Sequence, residues 1–159
     1  MIVVLAGGVG AARFLRGLVR AVDPSEIVVV SNTGDDIHMY GAHVSPDLDI
    51  VIYTLAGIVD DQRGFGLAGD TFTVLEGLRG LGIEAWFTLG DRDFATGLAR
   101  AAHVAGGGTV TEFASMLARR HGVGVRVLPM TDDPVATIVR VRMDGAETDL
   151  HFQRYWVQR

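Results

Sequence analysis

The chain has 159 residues, 48% of them hydrophobic, which fits one domain with a single buried core. Its formal net charge of −5 argues against nucleic-acid binding, and the absence of cysteine excludes disulfides, thiolate metal sites and cysteine nucleophiles. All 14 basic residues are arginine, so P-loop nucleotidases, which need a lysine at the terminal phosphates, and Schiff-base enzymes are excluded as well.

The apolar runs are short. No stretch of eighteen apolar residues occurs, and no basic segment precedes the first apolar run, so neither a transmembrane helix nor a signal peptide is expected. We therefore expect a cytoplasmic protein that does not contact a membrane.

The first third of the chain alternates between strand and helix patterns. Residues 2–5 are continuously apolar and stop at a glycine-rich loop, after which leucine and valine recur at helical spacing. Residues 27–30 form a second all-apolar run, as expected for a strand buried on both faces of a parallel sheet. Ser45 and Pro46 then suit the N-cap and first position of a helix reaching about residue 59.

The middle of the chain contains two aspartates at helix starts. Asp70 is predicted to cap a helix over residues 71–81, and Asp91 to cap the helix that follows it. Between them, residues 85–89 are predicted to return to the sheet as a strand. Trp86 in this run is expected to lie in the core.

The last third predicts one more helix and a hairpin. Thr109 and Glu112 have the spacing of a capping box, for a helix ending near residue 122, and residues 125–128 read as a strand. Residues 137–143 and 148–152 flank an Asp-Gly dipeptide, a hairpin signal. The fold class is therefore α/β: an open, mostly parallel Rossmann-like sheet flanked by helices, with an antiparallel hairpin near the C-terminus, in a single nucleotide-binding domain over residues 1–159.

The loop after the first strand has the composition of a phosphate site. Gly7, Gly8, Val9 and Gly10 open a helix, so their free N–H groups and the positive helix terminus would face a phosphate, and Arg13 one turn later could bind it too. The alternative is a tight turn that needs glycine only for its backbone angles. An NAD-type dinucleotide site is disfavoured, because the second strand lacks an acidic residue at its end.

Four aspartates follow the second strand within fifteen residues. Asp35, Asp36, Asp47 and Asp49 suggest a magnesium site, since Mg²⁺ takes oxygen ligands and shares them with substrate phosphates. The alternative is that they stabilise a turn and complement a helix dipole. The nucleophile motif of a haloacid-dehalogenase phosphatase does not fit, because it needs an apolar strand immediately before it.

Six ordered motifs together resemble the 2-phospho-L-lactate transferase family of coenzyme F420 biosynthesis. They are residues 7–13 (GGVGAAR), 32–36 (NTGDD), 45–49 (SPDLD), 69–72 (GDTF), 89–93 (LGDRD) and 128–134 (LPMTDDP). The resemblance implies transfer of a phospholactyl or related three-carbon phospho-acid group from a guanosine diphosphate-linked donor to the deazaflavin Fo. GMP is released.

The resemblance also implies roles for individual residues. The glycine loop would lie against the nucleotide phosphates, and Asp36, Asp47 and Asp49 would surround Mg²⁺, the expected cofactor. Asp49, with Asp36, would act on the hydroxyl of Fo that attacks the phosphorus. Asp91 and Arg92 would line the acceptor side. His38 lies between the two aspartate groups in sequence, where it could also touch the acceptor.

Two departures and two alternatives accompany this interpretation. Gly97 stands where the family often carries histidine, and the chain has about half the family's usual length. A non-catalytic nucleotide-sugar-binding module, of the gluconeogenesis-factor type, is the first alternative. A fragment without independent activity is the second. The resemblance also suggests a homodimer.

Overall fold

The computed structural model describes residues 1–143 and 146–158, and its elements follow the predicted alternation in most places. The strands are β1 (Ile2–Ala6), β2 (Ile27–Ser31), β3 (Ile37–Met39), β4 (Ala42–Val44), β5 (Arg126–Pro129), β6 (Ile138–Met143) and β7 (Ala146–His151). The helices are α1 (Gly8–Leu18), α2 (Pro46–Leu55), α3 (Thr73–Gly80), α4 (Asp91–Ala105), α5 (Val110–Arg120) and α6 (Phe152–Val157).

A three-stranded parallel sheet in the order β1-β2-β5 forms the centre of the fold. Ile27, Val28 and Val29 of β2 are buried, as expected for a strand with neighbours on both sides. Helices α1, α2 and α5 contact this sheet and one another, and their apolar side chains form the main core with Ile27 and Val29. The predicted α/β class, with a parallel sheet flanked by helices, is confirmed.

A second, smaller core lies beside the sheet, and here one prediction is wrong. Residues 85–89 do not form a strand. Ala85 and Leu89 are buried, and the run packs with the β3–β4 hairpin and α4 instead of joining the sheet. The Trp86 amide donates to the hydroxyl of Tyr40 (3.2 Å), so a side chain satisfies a group that a strand would pair in a ladder.

The predicted ends of two elements are also shifted. Helix α2 ends at Leu55 rather than near residue 59, and the chain then turns at Gly57, whose φ is +70°. The predicted antiparallel hairpin is confirmed as β6 paired with β7, although Phe152 begins α6 instead of ending the strand. The Asp144-Gly145 turn lies outside the described residues. None of the helices in the described ranges combines the length and hydrophobicity that a membrane crossing requires.

Candidate nucleotide-binding site

A cavity of about 500 Å³ opens where the chain leaves β1 and β2. It is lined by Gly8 and Val9, by four carboxylates and by five aromatic side chains. The carboxylates are those of Asp35, Asp47, Asp49 and Asp93, and the aromatic side chains are those of Tyr53, Phe65, Phe87, Phe152 and Trp156. The position agrees with the rule that ligands of open α/β sheets bind outside the carboxyl ends of the strands.

The glycine loop approaches an aspartate closely. Gly8 has a φ of +67°, and a Cβ built there would lie 2.8 Å from Asp47 Oδ1. Helix α1 has neither a side-chain cap nor an acidic residue in its first turn, so its positive end and free amides face this region. Gly8 and Val9 line the cavity, whereas Arg13 is exposed and its guanidinium lies near Gly64.

Asn32 holds two of the carboxylates together. Its Nδ2 donates to Asp35 Oδ1 (3.0 Å) and to Asp47 Oδ2 (2.9 Å), while its Oδ1 accepts from the Gly34 amide (3.0 Å). No role was predicted for Asn32 itself, and Asp35, one of the four aspartates that suggested a magnesium site, was not among the ligands that the resemblance implies. An asparagine at the end of a strand, immediately before an acidic turn, was the signal that could have drawn attention to both.

Burial raises the pKa of both carboxylates that Asn32 contacts, those of Asp35 and Asp47. It raises the pKa of Asp35 to about 7, and the charges of Asp47 and Asp36 add to the shift. Burial also raises the pKa of Asp47, against the opposing effect of its hydrogen bond from Asn32. A cation between these carboxylates and a phosphate would offset both the burial and the repulsion.

Asp36 points into a different environment from its neighbour Asp35. Ser45 Oγ donates to Asp36 Oδ1 (2.6 Å), and His43 Nε2 lies 3.0 Å from Asp36 Oδ2. Ser45 does occupy the predicted N-cap position of α2, but because its hydroxyl bonds Asp36 it makes no side-chain cap. Asp36 does not line the cavity, so the structure does not bring Asp36, Asp47 and Asp49 together as one open set of ligands.

Asp49 and Asp93, which we call the cavity floor, both line the cavity. Asp49 is paired with Arg100, which is completely buried. Asp93 accepts a hydrogen bond from the hydroxyl of Tyr53 (3.0 Å), and burial, with a further effect of the Asp49 charge, raises the pKa of Asp93 to about 7. Asp93 is the last residue of the 89–93 motif, but the sequence predicted no role for it.

The two predicted helix caps are exchanged, and the original assignment is wrong. Asp91 is the first residue of α4, but its carboxylate accepts from the amides of Thr73 (3.1 Å) and Val74 (3.0 Å) at the start of α3. Asp70, which precedes α3, accepts from the Arg92 amide (3.0 Å) at the start of α4. Each aspartate therefore caps the other's helix.

The residues predicted for the acceptor side lie outside the cavity lining. Asp91 caps α3, the guanidinium of Arg92 donates to the Ala68 carbonyl, and exposed His38 stacks on His43 with ring centroids 4.4 Å apart. Gly97 also lies outside the cavity lining, in the contact between α4 and β4, where an added Cβ would lie 3.0 Å from Ala42 Cβ. The Fo-binding role of these residues stays a prediction.

Strand β7 and helix α6 contribute contacts that the sequence did not predict. Gln153 Nε2 donates to Asp35 Oδ2 (2.7 Å), and His151 Nε2 lies 3.0 Å from the Asp36 carbonyl oxygen. Helix α6 also brings Phe152 and Trp156 to the cavity. These residues are more than a hundred positions from the aspartates, and no local pattern predicts such contacts.

Within the described residues, no three histidine, aspartate or glutamate side chains are arranged as a ready metal site. A protein-only cage is not the usual way to hold Mg²⁺, which takes one or two carboxylates together with substrate phosphates and water. Asp47, facing the glycine loop, fits that mode. The arrangement can therefore hold a diphosphate through the loop amides and a cation between the diphosphate and a carboxylate.

Comparison with known proteins gives concordant matches. A profile of the family described as 2-phospho-L-lactate transferase CofD matches residues 2–159. The phosphoenolpyruvate transferase of Streptomyces coelicolor is 49% identical over 99% of this chain and 50% of its own length. The 2-phospho-L-lactate transferase of Methanocorpusculum labreanum is 40% identical over 99% of this chain and 51% of its own length. The chain thus spans about half the length of these relatives.

One solved structure has a related fold. The crystal structure of a UPF0052 family protein from Bacillus halodurans aligns with a TM-score of 0.50 at 18% identity, over 94% of this chain and 44% of that one. At that identity, the match supports the α/β fold alone.

Proposed function

The chain belongs to the 2-phospho-L-lactate transferase family, and we propose that it forms the nucleotide-binding part of a magnesium-dependent transferase. The reaction moves a phospholactyl or related three-carbon phospho-acid group from a guanosine diphosphate-linked donor to the deazaflavin Fo. A hydroxyl oxygen of Fo bonds to the phosphorus that carries the three-carbon acid. The bond from that phosphorus to the GMP oxygen breaks, GMP leaves, and the hydroxyl proton is released.

The observation that carries this proposal is the position of Asp47 against the glycine loop. The diphosphate of the donor lies on the Gly8 and Val9 amides at the start of α1, where the helix dipole favours anions. Asp47 would hold Mg²⁺, and Asn32 keeps the carboxylate of Asp35 next to that of Asp47. When bound, the cation neutralises charge on the phosphates as the transfer proceeds.

The acceptor hydroxyl meets the two carboxylates of the cavity floor. Asp49 orients it, because Arg100 holds that carboxylate in place. Asp93 takes the proton, since a pKa of about 7 is suited to a general base at neutral pH. Asp36 is hydrogen-bonded to Ser45 and His43 outside the cavity lining and does not touch the reacting atoms.

The flat part of the acceptor fits the aromatic side chains of the cavity. Phe65, Phe87 and Trp156 are among its lining residues. A planar ring system packs well against such side chains. For the donor, the names of the relatives favour a phosphoenolpyruvate-derived acid, because the relatives at 48–49% identity are named phosphoenolpyruvate transferases and those at 39–40% include 2-phospho-L-lactate transferases.

The test is GMP release by the intact protein from donor and Fo, followed by chromatography. We expect turnover that needs Mg²⁺ and that falls at least about a hundredfold in Asp47→Asn, as expected for losing a phosphate-site charge. Asp61→Asn is the matched control, since Asp61 is exposed and pairs with Arg16 outside the cavity lining. Undiminished turnover in chelator would contradict the proposal. Guanosine nucleotide binding without turnover would favour the regulatory module.

A further inference from the structure

A buried arginine lies directly beneath the cavity. Arg100, on α4, has no exposed surface and donates to Asp49 of α2 and, through Nη1, to the His43 carbonyl of β4 (2.8 Å). Its guanidinium also lies over the ring of Phe113 on α5, 5.2 Å from the centroid. One side chain therefore joins three elements at the base of the site.

Stability alone is a poor explanation for this arrangement. Removing an arginine and a carboxylate from water costs free energy, and well-packed apolar side chains of similar volume often stabilise a fold as well or better. The carboxylate that Arg100 binds is also not an ordinary core residue, because Asp49 lines the cavity.

Asp49 differs from the other carboxylates of the cavity. Across the part of the chain that the structure describes, Asp35, Asp47 and Asp93 have no ion pair with arginine. Their side-chain partners are neutral amides and a phenol. Asp49 is thus the cavity carboxylate whose orientation is fixed by a charged, planar donor, a geometry that suits arginine and not lysine.

We propose that Arg100 is a positioning residue that fixes the Asp49 carboxylate so that it presents an oxygen to the acceptor hydroxyl. The inference rests on the proposed function of the cavity. Arg100 itself is buried, does not line the cavity and acts only through that carboxylate. Its anchor on the His43 carbonyl and the Phe113 ring keeps the guanidinium from following a displaced carboxylate.

The test compares kcat and KM of the intact protein for Arg100→Met and Arg100→Lys. We expect kcat to fall about a hundredfold in Arg100→Met, the effect of misplacing a reacting group by about 1 Å, with KM for the donor within about twofold. Arg100→Lys keeps the charge but not the planar fork, and we expect a loss of about tenfold.

A double-variant cycle separates positioning from folding. In an Asp49→Asn background, Arg100→Met is expected to change kcat by less than about twofold, because the group through which Arg100 acts is gone. This double variant also leaves no lone buried charge, so it remains informative if Arg100→Met alone does not fold. Leu117→Ala is the control for lost stability, since Leu117 is a buried apolar residue of α5 in the main core. It should keep the wild-type kcat at a temperature where it is folded.

Two results would overturn the inference: an equal loss of kcat in both backgrounds, or an equal loss in Leu117→Ala. If the wild-type protein makes no GMP, the proposed function fails, and the positioning role is then decided by a crystal structure of Arg100→Lys. There the inference requires the Asp49 carboxylate to turn away from its wild-type orientation. An unchanged carboxylate would refute it.

Discussion

Adding one methyl group at Gly8 tests the contact between the glycine loop and Asp47. An alanine at a φ of +67° costs about 1–2 kcal/mol, and its Cβ would lie 2.8 Å from Asp47 Oδ1, which must move. Moving it gives up the hydrogen bond from Asn32, worth about 1 kcal/mol. Alanine also restricts the unfolded chain, which offsets about 0.4–1 kcal/mol of this loss. We therefore expect Gly8→Ala to lower the free energy of unfolding by roughly 1–2.6 kcal/mol.

The matched control is Gly17→Ala in the same helix. Gly17 has open space within 4 Å of the built Cβ and no positive φ. The same chemical change should therefore raise the free energy of unfolding by about 0.5–1 kcal/mol. Urea unfolding gives both values. A titration with GDP and Mg²⁺ should show affinity at least about tenfold lower in Gly8→Ala, a loss of about 1.4 kcal/mol, and unchanged in Gly17→Ala.

The opposite signs of the two variants make this comparison decisive. If Gly8→Ala and Gly17→Ala both stabilise the protein, then Asp47 does not press against the loop and Gly8 does not need its left-handed backbone. If Gly8→Ala loses stability but binds GDP with wild-type affinity, the contact exists but the diphosphate does not lie there.

Three further predictions concern the cap of α3, the carboxylate of Asp93 and the contact between α4 and β4. Asp91→Ala should lower the free energy of unfolding by about 1–2 kcal/mol in urea, because α3 loses its cap, and should leave GDP affinity unchanged. An affinity loss would instead put Asp91 in the site. In the folded protein the pKa of Asp93 is raised to about 7, well above its value in the unfolded chain. Between about pH 4 and pH 7 Asp93 therefore loses its proton in the unfolded chain but keeps it in the folded protein. Its contribution to stability falls as pH rises through this range. Asp93→Asn should match wild type near pH 4 and exceed its free energy of unfolding above pH 7 by up to about 4 kcal/mol; parallel pH profiles would contradict this. Gly97→Ala should lower the free energy of unfolding by about 1–3 kcal/mol in thermal unfolding, because its Cβ would lie 3.0 Å from Ala42 Cβ and 3.2 Å from the His43 carbonyl oxygen. Unchanged stability would show that α4 and β4 can move apart without loss of free energy.

Local signals in the sequence were reliable. The Thr109 and Glu112 capping box is present with both of its hydrogen bonds, because its partners are three residues apart. The parallel strands β1 and β2 and the hairpin β6–β7 follow directly from apolar runs and turn residues. The carboxyl ends of the strands, where the site was expected, do border the cavity.

Partner choices over long distances were not predictable. Asp70 and Asp91 each precede a helix, and sequence alone pairs each with its own; the exchange depends on how α3 and α4 pack. Residues 85–89 have the composition of a strand but pack into the second core. The roles of site residues were hard to predict for the same reason. Adjacent Asp35 and Asp36 contact different side chains, and the sequence does not show which.

The most direct test of the whole account is a crystal structure of the intact protein with GDP and Mn²⁺ in place of Mg²⁺, using the anomalous signal of manganese. We expect the diphosphate on the amides of Gly8 and Val9, with one manganese peak between a phosphate oxygen and the Asp47 carboxylate. A diphosphate bound away from this loop, or manganese without contact to Asp47, would contradict it.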